Sequence, residues 1–395
     1  MKAVILAAGK STRTYPLTAN TPKPLLKVAN KSILEHNLDQ LQGIVDEAIV
    51  IVGFEKEQII SAFGRKYGKI KLTYVIQKEQ LGTGHALMLA KDFVKDRFIV
   101  MGGDDLFSKE DIKRCVKHKY CVLAQKVPNP ESFGVFVVHG KSVNKIVEKP
   151  SKFVSNLANT GLYVFDKSIF DFKLEKSPRG EYELTDYINK LIEKGEMIFC
   201  EEVKDYWLPI IYPWSLIEAN EFLLKRIKVK KILGTVEKGV VIKGKVIIGK
   251  NTLVKSGVYI EGPAIIGANC TIGPNCYIRP GTSIGDHCKI GQAVEIKNSI
   301  VMDHTNVPHL SYVGDSVIGS NSNLGAGTKV ANLRHDHGNV RSAVKGVLID
   351  TGRRKLGMII GDHVKTGINT LVYPGRKIWP NKTTLPGEIV KEDLE

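Results

Sequence analysis

The sequence predicts two domains of different class. An α/β doubly wound, Rossmann-like domain should occupy residues 1–229, closing on a linking helix, and a left-handed parallel β-helix of hexapeptide repeats residues 230–395. Three observations carry this reading. Apolar runs alternate with helically spaced segments from Met1 to about Lys204. Ile242, Ile248, Val254, Ile260, Ile266, Ile272, Ile278, Ile284, Ile290, Ile296 and Met302 then recur at a spacing of six, which neither a helix nor a flat strand has. A chain of 395 residues also exceeds what one ordinary core supports.

The period of six has a geometric cause. Each unit is a short strand plus a turn, and three units close a triangular coil. The aliphatic residue at every sixth position points inward and stacks about 4.8 Å above its equivalent one coil earlier. Gly249, Gly267, Gly273, Gly285 and Gly291 follow five of these residues directly. One coil cannot bury its own apolar face, so stability comes from stacking. The phase is expected to slip near Pro308, with Tyr312, Ile318, Leu324 and Val330 in a shifted register. Ile360, Thr366, Val372 and Ile378 resume it after an interruption.

In the first half KAVILAA, Ala48–Val52, Lys71–Ile76 and Arg97–Met101 read as buried parallel strands. SILEHNLDQL, KEQIISAF and GHALMLAKDF read as the helices between them. Ligands of such a sheet belong at the carboxyl ends of its strands. Pro213–Leu233 reads as the linking helix, packing through Ile217, Phe222, Leu223 and Ile227, with the boundary near Lys230.

Composition narrows the function classes. No stretch reaches transmembrane length, and MKAVILAAGK reads as a first strand, not a signal peptide. A net charge of +16 favours anionic small-molecule partners. No basic block interleaves with aromatics, which argues against nucleic acid. The six cysteines form no CxxC pair, which fits a reducing cytoplasm. Cys270 and Cys288 lie one coil apart and read as stacked wall thiols.

The first strand runs into LAAGKSTRTYPLTANTPKPLL. A turn of this kind offers backbone N–H groups to phosphates, and Arg13 and Lys23 bring positive charge. LAAGKSTR…PKP resembles the signature of sugar-1-phosphate nucleotidylyltransferases, as do Gln77 with LGTGHA and GGDD at Gly102–Asp105. The resemblance implies that Leu6, Ala8, Gly9, Gln77, Gly82 and Thr83 bind the nucleotide. It implies Mg²⁺ on Asp104, and sugar-phosphate contacts from Gly134, Glu148, Lys149 and Asn159. The chemistry is consistent: a phosphate oxygen attacks the α-phosphorus and pyrophosphate leaves, so alignment and charge neutralisation suffice without a general base. Ser11 replaces a family glycine and should sit at negative φ. Pro209 stands where relatives often carry a second metal ligand, leaving Asp205 and Asp105 as substitutes.

In the coil, Arg279 and Lys297 stand near each other on the wall, and His309 and Tyr312 lie in PHLSYVGDS. NLGAGTKVANL then precedes an excursion, RHDHGNVRSAVKGVLIDTGRRKLG. These motifs resemble the acetyltransferase half of bifunctional bacterial and archaeal nucleotide-sugar enzymes, and the resemblance covers nearly the whole chain. It implies His309 as general base toward an amino-sugar phosphate, a role that suits an imidazole because it titrates near neutrality. It further implies Arg279, Lys297, Tyr312, Asn323 and Asn332 on the acceptor, and Ala326, Arg341 and Lys345 on acetyl-CoA. The remaining coil histidines read as structural. Implied partners are UTP, with dTTP as second candidate, and glucosamine- or galactosamine-1-phosphate, in a cytoplasmic homotrimer. Two other readings stay open: a nucleotidylyltransferase with a structural coil, and a non-catalytic assembly subunit.

Overall fold

A computed structural model describes residues 1–395 and divides them into two compact units. The first comprises Met1–Lys10, Pro22–Leu25 and Ile33–Pro209; the second Ser11–Thr21, Leu26–Ser32 and Ile210–Glu395.

The first unit is built on a ten-stranded sheet. Its strands are β1 (Lys2–Ala7), β2 (Glu47–Val52), β3 (Lys66–Tyr67), β4 (Ile70–Ile76), β5 (Phe98–Gly102), β6 (Cys121–Lys126), β7 (Gly134–His139), β8 (Ser142–Glu148), β9 (Leu157–Phe165) and β10 (Phe199–Glu202). They run in the order β7-β8-β10-β6-β9-β5-β1-β2-β4-β3. β1 lies between β5 and β2, parallel to both. That placement explains its uninterrupted apolar run, since both faces are covered. Val4, Ile49, Ile51 and Val100 enter one core, and Ala3, Ile5, Val50, Ile99 and Met101 the other. Helices α1 (Ile33–Leu41), α2 (Lys56–Phe63), α3 (Thr83–Met88), α4 (Lys109–Cys115) and α5 (Thr185–Glu193) cover the two faces. The sheet is mixed, because β9 pairs antiparallel with both β5 and β6. The expected helix at GHALMLAKDF is shorter than its pattern, ending as α-helix at Met88.

The second unit carries the left-handed parallel β-helix. Its three faces are parallel sheets of eight, five and eight strands. Rungs begin at Lys231–Ile232 and continue to a bridge between Ile378 and Leu394. Along one edge Ile242, Ile260, Ile278, Ile296 and Val313 stand in register. Ile260, Ile278, Ile296 and Val313 belong to one continuous buried core, with the partly buried Ile242 packed against it. Cys270, Cys276 and Cys288 are buried free thiols, and Cys288 N donates to Cys270 Sγ at 3.4 Å.

The phase slip differs from the expectation. Ile284 is in register with Val301 and Ile296 with Val313, so the ladder runs Ile296, Val301, Val307, Val313, Ile318. Two five-residue rungs replace six-residue ones. The inward residue is therefore Val313, and Tyr312 points out of the prism. Met302 is buried as well, at 5 % exposure, which is why its spacing misleads. The interruption contains an antiparallel hairpin, Arg341–Val344 with Val347–Asp350.

Helix α6 (Ser215–Lys225) is shorter than the predicted connector and belongs to the second unit. Its buried face is Leu216, Ile217, Ala219, Asn220 and Leu224, whereas Phe222, Leu223 and Ile227 are half-exposed. Asn220 is fully buried and satisfied: Nδ2 donates to Gly281 O, and Oδ1 accepts from Ala29 N and Ser283 Oγ.

Candidate active sites

In the first unit the carboxyl ends of β1, β2, β4 and β5 gather the predicted groups. Leu6 O accepts Gly103 N at 2.9 Å, and Ala8 O accepts Phe54 N and Gln80 Nε2. Gly9 is exposed just past the strand. Lys23 Nζ meets Asp104 Oδ2 at 2.8 Å. A Cβ on residue 102 would lie 2.8 Å from Asp104 Oδ1, so Gly102 leaves that oxygen uncovered. Mg²⁺ is commonly held by one or two carboxylates with water and phosphate oxygens, and a half-exposed Asp104 fits that donor set.

Of the substitutes for a second ligand, Asp105 lies directly across a two-stranded ribbon from Pro209. Its Oδ2 accepts the Trp207 indole N–H at 3.0 Å. Asp205 N donates to the buried Asp111, which anchors that residue's backbone elsewhere.

The loop entering α3 is pinned by a segment the sequence reading passed over. Gly84 N donates to Tyr182 O, Tyr182 N to Leu81 O, and Leu184 N to Thr83 Oγ1. Gly82 has φ 107°, and a Cβ there would collide with Tyr182 O. Gln77 is buried, with Nε2 reaching Gly82 O at 3.2 Å and His85 Nδ1 at 3.1 Å. Of the three residues expected to read the base, Gln77 and Gly82 are thus bonded to each other, and Thr83 is tied to Leu184.

The sugar-side residues also converge. Gly134 is opposite Glu148 in the β7–β8 ladder, and a Cβ on Gly134 would sit 2.7 Å from Glu148 Oε2. Asn159 Nδ2 donates to Tyr163 Oη at 2.6 Å. Burial raises the Tyr163 phenol well above its ordinary range. Lys149 is exposed, with φ 43° and its N–H on Phe133 O. Arg179, absent from the sequence reading, bridges Glu148 and Glu183.

Ser11 and Arg13 belong to the second unit. Ser11 has φ 51°, contrary to the expected negative value. Its carbonyl accepts Thr14 N and Thr18 Oγ1, which closes the turn and holds serine in the left-handed region at a cost of about 1 kcal/mol. Arg13 is exposed on the Thr12–Thr14 turn.

On the coil, residues from successive rungs meet. Arg279 Nη1 pairs with Glu295 Oε1 at 2.7 Å, and this carboxylate raises the guanidinium pKa further. Lys297 Nζ pairs with Asp315 Oδ2 at 2.8 Å. Asn332 Nδ2 donates to Tyr312 Oη and to the same Asp315 oxygen. Tyr312 and Asn332 line a cavity of about 890 Å³ together with Leu333, Leu371, Tyr373 and Pro374. His309 is exposed at the end of the strand Asn306–His309, on the neighbouring face and off that cavity's lining. Asn323 is on the His309 face, bridged to Asn306 and Lys365. Ala326 O accepts Asn369 N, so that carbonyl is already engaged. Arg341 and Lys345 are exposed on the hairpin, Lys345 in its turn. Asp315 was legible only as part of SYVGDS and received no role from the sequence.

The model of the nucleotidyl transferase family matches residues 2–226, and that of the GMPPB C-terminal domain residues 260–392. A "Bifunctional protein GlmU" from Methanococcus maripaludis is 47 % identical over 400 residues, covering 100 % of this chain and 96 % of the relative. A "Bifunctional sugar-1-phosphate nucleotidylyltransferase/acetyltransferase" from Sulfurisphaera tokodaii is 42 % identical, covering 100 % and 98 %. Among solved structures, a protein described as a glucose-1-phosphate thymidylyltransferase from Bacillus anthracis, bound to sucrose, has a TM-score of 0.53 at 33 % identity. It covers 58 % of this chain and 98 % of its own. Fold and first site therefore define a nucleotidyl transferase. With both halves matched over its full length, the chain belongs to the bifunctional sugar-1-phosphate nucleotidylyltransferase/acetyltransferase enzymes.

Proposed function

We propose that the chain makes a UDP-N-acetylhexosamine in two steps, first acetylating glucosamine-1-phosphate or galactosamine-1-phosphate and then uridylylating the product. One observation carries the two-step reading: Tyr312 and Asn332, from separate rungs, are joined on a cavity of about 890 Å³. A coil serving only as a spacer needs no such polar pair.

In the first step the amine attacks the thioester carbon of acetyl-CoA. The C–N bond forms, the C–S bond breaks, His309 takes the amine proton and the CoA thiolate is protonated. Arg279 and Lys297 hold the sugar phosphate, Asn323 helps hold the acceptor, and Ala326, Arg341 and Lys345 contact CoA. His309 stands apart from the cavity of a single chain, which favours a homotrimer with the acyl site completed between neighbours.

In the second step the N-acetylhexosamine-1-phosphate oxygen attacks the α-phosphorus of UTP, or of dTTP as an alternative, and pyrophosphate leaves. Lys23 and Arg13 neutralise charge on the transferring group. Gln77, Gly82 and Thr83 hold the base, while Gly134, Glu148, Lys149 and Asn159 hold the sugar. Asp104 would hold Mg²⁺, which supplies further charge neutralisation when bound. No helix is long and apolar enough to cross a membrane, in keeping with a cytoplasmic enzyme.

The match of residues 260–392 to the GMPPB C-terminal domain favours a second reading, nucleotidyl transfer with a structural coil. Assays of CoA and pyrophosphate release across hexosamine phosphates separate the two. Wild type is expected to release CoA, and His309→Ala to lose that release while keeping pyrophosphate release from UTP and supplied N-acetylhexosamine-1-phosphate. Equal CoA release by His309→Ala would defeat the base assignment, and none from wild type the acetyl-transfer step.

A further inference from the structure

Asp315 is a carboxylate with 3 % of its side chain exposed, hydrogen-bonded to Asn332, which lines the cavity. An ion so buried persists only when paired and hydrogen-bonded. Its Oδ2 takes Lys297 Nζ at 2.8 Å and Asn332 Nδ2 at 2.5 Å, and its Oδ1 takes Asn298 Nδ2 at 2.8 Å. The backbone is equally fixed: Asp315 N donates to Lys297 O, Gly357 N to Asp315 O, and φ is 50°.

These contacts decide the polarity of the cavity. A side-chain amide can be turned either way by shape alone, but a carboxylate only accepts. Asn332 must therefore direct its NH₂ at Asp315, and the second proton goes to Tyr312 Oη at 3.2 Å. With both protons used, the amide offers the cavity its oxygen. Tyr312 Oη, accepting from Asn332, offers its own O–H. The contact depends on Gly314, whose added Cβ would lie 2.5 Å from Tyr312 Oη and 2.7 Å from Asn332 Nδ2.

Resting on the acetyl-transfer reading, we propose that Asp315 is a positioning residue that fixes Asn332 as an acceptor for the substrate amine and Tyr312 as a donor beside it. It touches no substrate. It makes the site complementary to an N–H-bearing acceptor.

The test is steady-state acetyl transfer by the full-length protein, with glucosamine-1-phosphate and galactosamine-1-phosphate as acceptors. In Asp315→Asn the new NH₂ can donate, which frees Asn332 to turn over. The KM for the amino-sugar phosphate should then rise by about 10-fold or more, with the KM for acetyl-CoA and the rate of uridylyl transfer within about twofold. On an Asn332→Ala background the same change should add less than about twofold. Gly314→Ala, which wedges Tyr312 from Asn332 without touching the carboxylate, should reproduce the KM rise even if Asp315→Asn does not fold. An unchanged acceptor KM in either soluble variant, or multiplying effects of Asp315→Asn and Asn332→Ala, would overturn the assignment. Absence of CoA release from the unmodified protein would instead defeat the acetyl-transfer reading, and this inference with it.

Discussion

Lys23 Nζ lies 2.8 Å from Asp104 Oδ2, with 7 % of the lysine side chain exposed against 45 % of the aspartate. A nearly buried cation so held is oriented before any phosphate arrives. Lys23→Met should lower pyrophosphate release by about 10²–10³-fold, the scale of losing one preorganised charge-stabilising donor. CoA release in the same preparation should be unaffected, and a parallel loss of both would assign Lys23 a structural role.

Gly82 answers to two constraints, a φ of 107° and the proximity of Tyr182 O. Gly82→Ala should displace the Glu181–Glu183 segment and loosen Gln77, whose amide bonds Gly82 O. The expected result is a KM for the nucleoside triphosphate raised by about 10-fold, with the unfolding midpoint lowered by an amount equivalent to about 1–3 kcal/mol. Titration of UTP against initial rate and a thermal melt check both.

Ile284 is fully buried in the coil, between Ile266 and Val301. Ile284→Ala should cost about 2–5 kcal/mol, measured by denaturant unfolding of the coil. The same change at Ser283, one residue away, should be read differently, because that hydroxyl serves Asn220.

Lys377 is 2 % exposed and donates to Ala343 O at 2.5 Å. Burial pulls its pKa down from 10.5 to about 8. Below about pH 8 both folded and unfolded chains carry the proton, and the cost of burying the ammonium is fully present. Between about pH 8 and 10.5 the unfolded state binds more protons, so this site's contribution to stability rises with pH. Relative to Lys377→Met, wild type should gain on the order of 3 kcal/mol across that window. A pH-independent difference between the two unfolding curves would refute the assignment.

The coil was legible because an inward position in a narrow prism accepts little besides an aliphatic side chain, and Ile248 through Ile296 satisfy that rule without exception. Its slip was misplaced because Val301 and Met302 are adjacent, apolar and both buried, so residue type could not say which one faces the axis. The sign of φ at Ser11 was equally invisible, since two hydrogen bonds to its carbonyl decide it. At the first site, Lys23 and Asp104 were readable from motifs, whereas the Tyr182 backbone that shapes the Gly82 loop lies about a hundred residues downstream. Asp315 escaped notice because its partners are 18 residues before it and 17 after it. Only the rise from rung to rung brings them together.

That last spacing constrains how the protein can change. Lys297, Asp315 and Asn332 come from three successive turns of the prism. Gain or loss of one whole turn upstream of Arg279 would leave every rung with an equivalent neighbour and merely alter the rod's length. The same event between Lys297 and Asn332 would carry one member about 4.8 Å out of reach. Descendants of this chain are therefore free to drift in the number of early turns, while the stretch from Arg279 to Asn332 must be inherited with its count intact.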